Sequence, residues 1–163
     1  EAIITQMAMG FIVSQSLAVA ARLRIADHLK DGGKTAQELA NLTETHAPSL
    51  YRLLRALASV GVLRKDGENF SNTELSEVLR SDHPRSMRPA LNMMGDPEHW
   101  NPHGNMQHSV KTGEIAFDYT FGMPVFPYFA QNPAAAKVFD EAMTSFSAAV
   151  AEAVSSNYDF SEA

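Results

Sequence analysis

Between Met7 and Leu29 apolar residues fall at helical spacing: Val13, Leu17, Ala20 or Ala21, and Leu29 recur at three- and four-residue steps, with alanine dense between them. The pattern predicts a helix interrupted near Gly10 and stopped by Gly32-Gly33. Thr35-Ala36-Gln37-Glu38 then reads as a capping box, since a Thr hydroxyl and a Glu carboxylate at this spacing satisfy the free amides of a helix start. The helix it opens is short, carrying Leu39, Ala40 and Leu42. A second helix begins near Ser49, places Leu50, Leu53, Leu54, Leu57 and Val60 on one face, and ends at Gly61. Two short alternating runs, Val62 to Lys65 and Glu68 to Ser71, flank Asp66-Gly67 and predict a hairpin on a type I′ turn. Helix, tight turn, helix and hairpin in that order make a winged helix-turn-helix.

Downstream, Thr73 caps a short helix through Leu79, ended by Ser81-Asp82-His83-Pro84. Ser86 to about Asp96 is helical, with Met87, Leu91 and Met94 on one stripe. Pro97 and Pro102 bracket an irregular stretch around Trp100, and helix resumes from Gly104 to Lys111. Thr112 to Pro127, rich in Gly, Pro and aromatics, reads as a shaped loop. Asn132 as cap and Pro133 at the first helical position open a last long helix lined by Phe139, Met143, Phe146, Val150 and Val154. The expected fold is mainly α: a winged helix-turn-helix with one small β-hairpin plus additional helices. Three segments follow: N-terminal helices 1–33, the winged unit 34–85 and a helical segment 86–163.

Composition narrows the classes. The 163 residues, 45% hydrophobic and 20% charged, suit one folded domain and argue against disorder. Cysteine is absent, which excludes disulfides and thiolate metal sites. The net charge of −6 is a poor footprint for a protein that binds phosphate backbones. It is also segregated, for 34–65 sums to +3 while 86–163 alone carries −6. No apolar run approaches a membrane span and the start lacks the basic residues of a signal peptide. A cytoplasmic protein without membrane partner is expected. The chain does not begin with Met and stops at Tyr158-Asp159-Phe160-Ser161-Glu162-Ala163, which suggests a piece of something longer.

Candidate chemistry is sparse. The nine glycines form neither GxGxxG nor a P-loop, and no serine sits in a nucleophile elbow, so no catalytic residue is expected in this chain. His99 and His103 have helical ligand spacing, with His108 nearby, but the intervening Pro102 favours loop histidines with solvent or backbone partners over a metal site. Arg52 and Arg55 on the second helix and Arg64 and Lys65 on the wing could hold phosphates. That helix is nevertheless more apolar than a groove-facing helix should be, which favours a packing role. The segment after residue 86 gathers Met87, Met93, Met94, Met106, Met123 and Met143 with Phe117, Phe121, Phe126, Phe129, Phe139 and Phe146. Such a set serves either core and dimer packing or a flat apolar ligand.

Several segments, in order, resemble a known family. They include Ala20-Ala21-Arg22-Leu23-Arg24-Ile25-Ala26-Asp27-His28-Leu29, then Leu50-Tyr51-Arg52-Leu53-Leu54-Arg55-Ala56-Leu57-Ala58-Ser59-Val60-Gly61-Val62, then Ser109-Val110-Lys111-Thr112-Gly113-Glu114-Ile115-Ala116-Phe117 and Phe139-Asp140-Glu141-Ala142-Met143. Through nearly its whole length the chain is similar to the N-terminal region of S-adenosylmethionine-dependent O-methyltransferases. These are enzymes of the plant caffeate and hydroxyindole type with bacterial relatives in secondary metabolism. The resemblance implies an intertwined homodimer that roofs the active site, with a separate Rossmann-like domain, expected beyond Ala163, binding S-adenosylmethionine and supplying a His base.

By position in that family, Met93, Met94, Val125, Phe129, Phe139, Met143 and Phe146 are implied to face a small aromatic or polyketide-like substrate. Trp100 and Met106 are second choices in the same wall, and Ser147 is implied to sit near the methyl donor. Phe146 stands where the plant pattern has a His, which implies a more apolar wall. The apolar stretch from Met7 to Ala21 independently suggests a dimer core. The rival reading is a winged-helix DNA-binding regulator with an aromatic-ligand pocket.

Overall fold

The computed structural model describes residues 1–158; residues 159–163, the end of the third predicted segment, and the side chain of Ala149 lie outside the described residues. The chain opens with α1 (Ala2–Ala8) and α2 (Gly10–Arg22), separated at Met9. Helix starts at Ala2 rather than Met7 and stops at Arg22 rather than running to Leu29. Arg24 there takes the left-handed φ of 54°, a conformation costly for a residue with a side chain. Its guanidinium donates to Asp27 Oδ2 at 2.9 Å, and Asp27 also accepts from the Ser81 amide and hydroxyl, each at 2.7 Å. Burial opposes ionisation of Asp27, but Ser81 and Arg24 hold its carboxyl below the usual range. This clamp seats α3 (Ile25–His28) against the turn that follows α6 (Glu74–Glu77).

The capping box forms as expected: the Thr35 hydroxyl accepts from the Glu38 amide at 3.2 Å, and Glu38 Oε2 accepts from the Thr35 amide at 2.7 Å. It starts α4 (Ala36–Thr43). Next, α5 (Ala47–Ser59) begins two residues before Ser49, because Pro48 fits the first turn of a helix. Leu50, Leu54 and Leu57 are buried, whereas Val60, beyond the helix, is 46% exposed. The hairpin is β2 (Leu63–Asp66) and β3 (Asn69–Asn72), with Asp66 opposite Asn69. Its central residues are therefore Gly67 and Glu68. Only Gly67 has positive φ, +55°, so the φ signs are those of type II′ rather than type I′. A third strand, β1 (Lys34–Thr35), pairs with β3 through Lys34 opposite Phe70, giving the antiparallel order β1-β3-β2.

Phe70 is fully buried at the centre of this winged-helix core, with Ile25, Leu39, Leu54 and Leu57 around it and the Tyr51 ring at 5.9 Å edge-on. Asn72 ties β3 to α3 by donating to the Ala26 carbonyl at 2.9 Å. The Thr73 hydroxyl donates back to the Val62 carbonyl at 2.8 Å, and α6 ends at Glu77, short of Leu79.

The remaining helices are α7 (Arg88–Gly95), α8 (Pro97–Gly104), α9 (Met106–Thr112), α10 (Ala116–Phe121), α11 (Val125–Gln131) and α12 (Pro133–Asn157). Two stretches expected to be irregular are thus helical. Pro97 occupies the start of α8 and Pro102 lies in its last turn, where one lost backbone bond to Glu98 is tolerated. The 112–127 loop holds α10, closed by Gly122 at φ +75°. Asn132 stands at the N-cap of α12 without capping it; its amide donates instead to the Tyr128 carbonyl at 2.9 Å.

Helix α7 lies between α2 and α12 and packs on both. Small residues permit the approach: Ala18, Ala90 and Ala142 are all fully buried. Arg88 donates to the Ala21 carbonyl at 3.0 Å, Arg22 pairs with Asp96, and Ser145 donates to the Ser86 carbonyl at 2.7 Å.

The N-terminal stretch needs a correction. Ala2–Arg22 is long and apolar enough to cross a membrane by length and composition. Polar Thr5, Gln6, Ser14, Gln15 and Ser16 break up its apolar runs, yet no charged residue occurs before Arg22 after Glu1. Its second half is occupied inside the protein, with Ser16, Ala18, Ala20 and Ala21 buried, while Ile3, Ile4 and Met7 are each about 70% exposed.

Candidate functional site

Five helices converge on a cavity of about 90 Å³. Met93 of α7, His99 of α8, Phe117 of α10, Val125 and Phe129 of α11, and Ala135, Val138 and Phe139 of α12 line it, with Asp96 and Glu98 at its polar side. The aromatic walls are mutually packed: Phe129 and Phe139 rings lie 5.1 Å apart, and Phe117 meets Tyr128 edge-on at 5.5 Å. Such edge and offset contacts fix ring orientation as well as burying area. The Tyr128 hydroxyl donates to Glu98 Oε1 at 3.1 Å, joining α11 to α8.

Of the residues expected to face substrate, the structure brings Met93, Val125, Phe129 and Phe139 together around this cavity. Met143, Phe146 and Ser147 lie instead in an open depression on α12 with Asp140 and Thr144. Met94, Trp100 and Met106 line neither. Consecutive helical residues point about 100° apart, so Met93 and Met94 cannot both face inward: Met93 is 8% exposed and Met94 39%. The Ser147 hydroxyl is engaged with its own helix, donating to the Met143 carbonyl at 2.9 Å.

Sequence reasoning missed His99, Phe117, Asp96 and Glu98 as cavity residues. The spacing of His99 and His103 was the available signal, and α8 does bring their rings to 5.0 Å, tilted by 46°. Among the described residues no group of three or more His, Asp or Glu is placed to hold a metal. Burial, then the neighbouring His103, pushes the His99 pKa down, so its imidazole is neutral at pH 7. Burial pushes the Asp96 carboxyl up against the pull of Arg22, and Glu98 adds to the rise. Burial and the bond to Glu98 raise the Tyr128 hydroxyl. A larger groove of about 720 Å³ runs between the His83–Ser86 turn and α12, and of the expected residues only Phe129 reaches it.

Three of the basic groups of the winged unit are engaged locally: Arg52 donates to Ser49 Oγ at 3.0 Å, Arg55 lies 5.7 Å over the Tyr51 ring, and Lys65 bonds the Gly67 carbonyl.

The architecture is thus a winged-helix core bearing an apolar N-terminal arm and a helical, aromatic-lined cavity. Residues 5–82 match the model of the O-methyltransferase dimerisation domain, and the chain belongs to that family. It is 44% identical over 99% of its length to the phenazine O-methyltransferase PhzM of Lysobacter antibioticus, covering 47% of that protein. The crystal structure of LaPhzM superposes with a TM-score of 0.90 at 43% identity, over 98% of this chain and 48% of that one. The O-methyltransferase NcsB1 of neocarzinostatin biosynthesis, solved with S-adenosylmethionine and 2-hydroxy-5-methyl naphthoic acid, aligns at 32% identity and a TM-score of 0.77, over 91% and 46%. The chain spans about half the length of the curated relatives it matches. The DNA-binding alternative finds no support in these likenesses.

Proposed function

We propose that this chain is the dimerisation and substrate-covering part of an S-adenosylmethionine-dependent O-methyltransferase that methylates a hydroxyl of a small aromatic or polyketide-like compound. The observation that carries the reading is a cavity of aromatic and thioether side chains built on a scaffold homologous, end to end, to half of such enzymes. Residues 1–33 supply dimer helices, 34–85 the winged unit and 86–163 the cover. Met93, Val125, Phe129 and Phe139 form its inner wall, and Met143 and Phe146, in the open depression on α12, extend the substrate-facing surface. The cytoplasm is the expected location.

The described residues do not themselves fit S-adenosylmethionine. Their only sheet is three short antiparallel strands, with no strand–glycine–helix unit, and the one residue implied near the donor, Ser147, has its hydroxyl proton committed to α12. The donor supplies an electrophilic methyl group when bound. The contribution of this chain is to orient the flat acceptor and exclude water, which is where positioning accelerates a bimolecular transfer.

The second copy follows from α1. Ile3, Ile4 and Met7 expose most of their surface on a helix with no buried residue, and a homodimer interface would cover it. The test is the native protein with S-adenosylmethionine and a dihydroxyphenazine, which carries no carboxylate, read by mass spectrometry. A product one CH2 heavier is expected. No methylation across hydroxyaromatic acceptors, together with specific DNA retention at near-physiological salt, would overturn the reading in favour of a regulator. Calorimetry on residues 1–163 should show no micromolar binding of S-adenosylmethionine.

A further inference from the structure

The polar side of the cavity holds three titratable groups, and two are already occupied. Asp96 is paired with Arg22, and Glu98 accepts from Tyr128. His99 differs: neither ring nitrogen is hydrogen-bonded to another described residue, although the side chain lines the cavity among Met93, Phe117, Phe129 and Phe139. A neutral imidazole carries one N–H donor and one bare nitrogen acceptor. Half-buried in a largely apolar wall, with neither nitrogen bonded to a described residue, it has a free donor and a free acceptor to offer a ligand that enters.

Volume and charge define what enters. A cavity of about 90 Å³ is smaller than the ~150 Å³ that accommodates a whole benzene, so it takes the edge of a flat ring with one small substituent. Glu98 meets no cation among the described residues, so this end of the cavity disfavours an anion.

Resting on the methyltransferase reading above, we infer that His99 is a specificity-determining residue that hydrogen-bonds a neutral hydroxyl on the buried edge of a flat aromatic acceptor, and selects it over unsubstituted and carboxylated analogues.

Trp100 is the neighbour of His99 in α8, and binding without turnover is read by calorimetry, with fluorescence of the isolated 163-residue chain, where Trp100 is the one tryptophan, as the second readout. The experiment titrates the native protein, His99→Phe and His99→Gln with phenazine, 1-hydroxyphenazine and phenazine-1-carboxylate. Wild type should prefer 1-hydroxyphenazine over phenazine by about three- to tenfold, the value of one hydrogen bond. His99→Phe should bring that ratio to about one while still binding phenazine, and His99→Gln, which keeps a donor and an acceptor, should retain a preference. An unchanged ratio in His99→Phe, equal losses for both ligands, tighter binding of the carboxylate by wild type, or no binding at all would each overturn the inference. Methyl transfer to a dihydroxyphenazine, which has one hydroxyl for His99 and another for the donor, measured on the same proteins, separates the two readings. Wild-type methylation with an unaltered ratio in His99→Phe removes only the role of His99, and a collapsed ratio without methylation removes only the reaction.

Discussion

Gly95 is the last residue of α7, and its φ is not left-handed, so space rather than backbone freedom explains it. A Cβ built there meets the Ala18 Cβ far inside contact distance, with Ala18 Cα at 3.7 Å and Arg22 Nη2 at 3.4 Å. Carbon pairs sit at about 3.5–4.0 Å, so the overlap is roughly an ångström or more. Ala18 is fully buried and cannot rotate away, which leaves only separation of α2 from α7. Overpacking of this kind costs about 1–3 kcal/mol. Replacing glycine by alanine in a helix returns at most ~1 kcal/mol, and less at its last residue. The net for Gly95→Ala is therefore a loss of about 1–2 kcal/mol, a fall in Tm of ~2–8 °C for a domain of this size at fixed protein concentration. Ala18→Gly makes room for the added methyl, so the double variant should recover at least ~1 kcal/mol relative to the sum of the singles. Urea unfolding of all four proteins measures this. A Gly95→Ala protein as stable as wild type, or strict additivity in the cycle, would refute the close-packing argument.

Asp27→Asn removes the charged partner of Ser81 and Arg24 and should cost about 1.5–3 kcal/mol at pH 7. Because the folded pKa of Asp27 lies below its ordinary value, its stabilisation is complete above that value and fades as pH falls through the folded pKa. The difference between wild type and variant, followed by chemical denaturation from pH 6 downward, should shrink accordingly; a constant difference would count against the clamp. Phe70→Ala empties the centre of the winged-helix core and should cost about 3–5 kcal/mol by the same denaturation assay. Ile4→Asp with Met7→Asp should convert dimer to monomer in sedimentation velocity at micromolar concentration, leaving the helical circular dichroism largely intact. A dimer that survives both charges would place the interface elsewhere.

What could be read from sequence follows the range of the interactions concerned. The Thr35–Glu38 box, the leucine face of α5 and the long α12 rest on contacts within a few residues, and each formed. Strand β1 is two residues long and exists only because Phe70 and Asn69 arrive beside it from far along the chain. No local pattern encodes that. The prolines at 97 and 102 misdirected the reading of α8, because proline is excluded from helix interiors but admitted in the first turn and bearable in the last. At the site, aromatic and Met positions were visible as a population. Which of them face the cavity depends on the rotation of four short helices about their axes, and packing sets that rotation. Met93 and Met94 show the consequence, as does His99, whose spacing suggested a ligand pair while its use is as a single imidazole in a wall.

The same helix carries both consequences of this arrangement. One side of α7 is held to α2 by the Gly95–Ala18 approach, the Arg22–Asp96 pair and the Arg88 bond to Ala21. Its other contacts reach α12 through Ser86 and Ser145, and Met93 projects to the cavity. Helix α2 continues, across Met9, into the exposed apolar arm of α1. Asp96 sits where α7 meets α2, anchored on α2 by Arg22 and lining the cavity two residues after Met94. Helix α7 therefore bounds the cavity through Met93 and packs against α2, the helix that leads back to the exposed apolar arm.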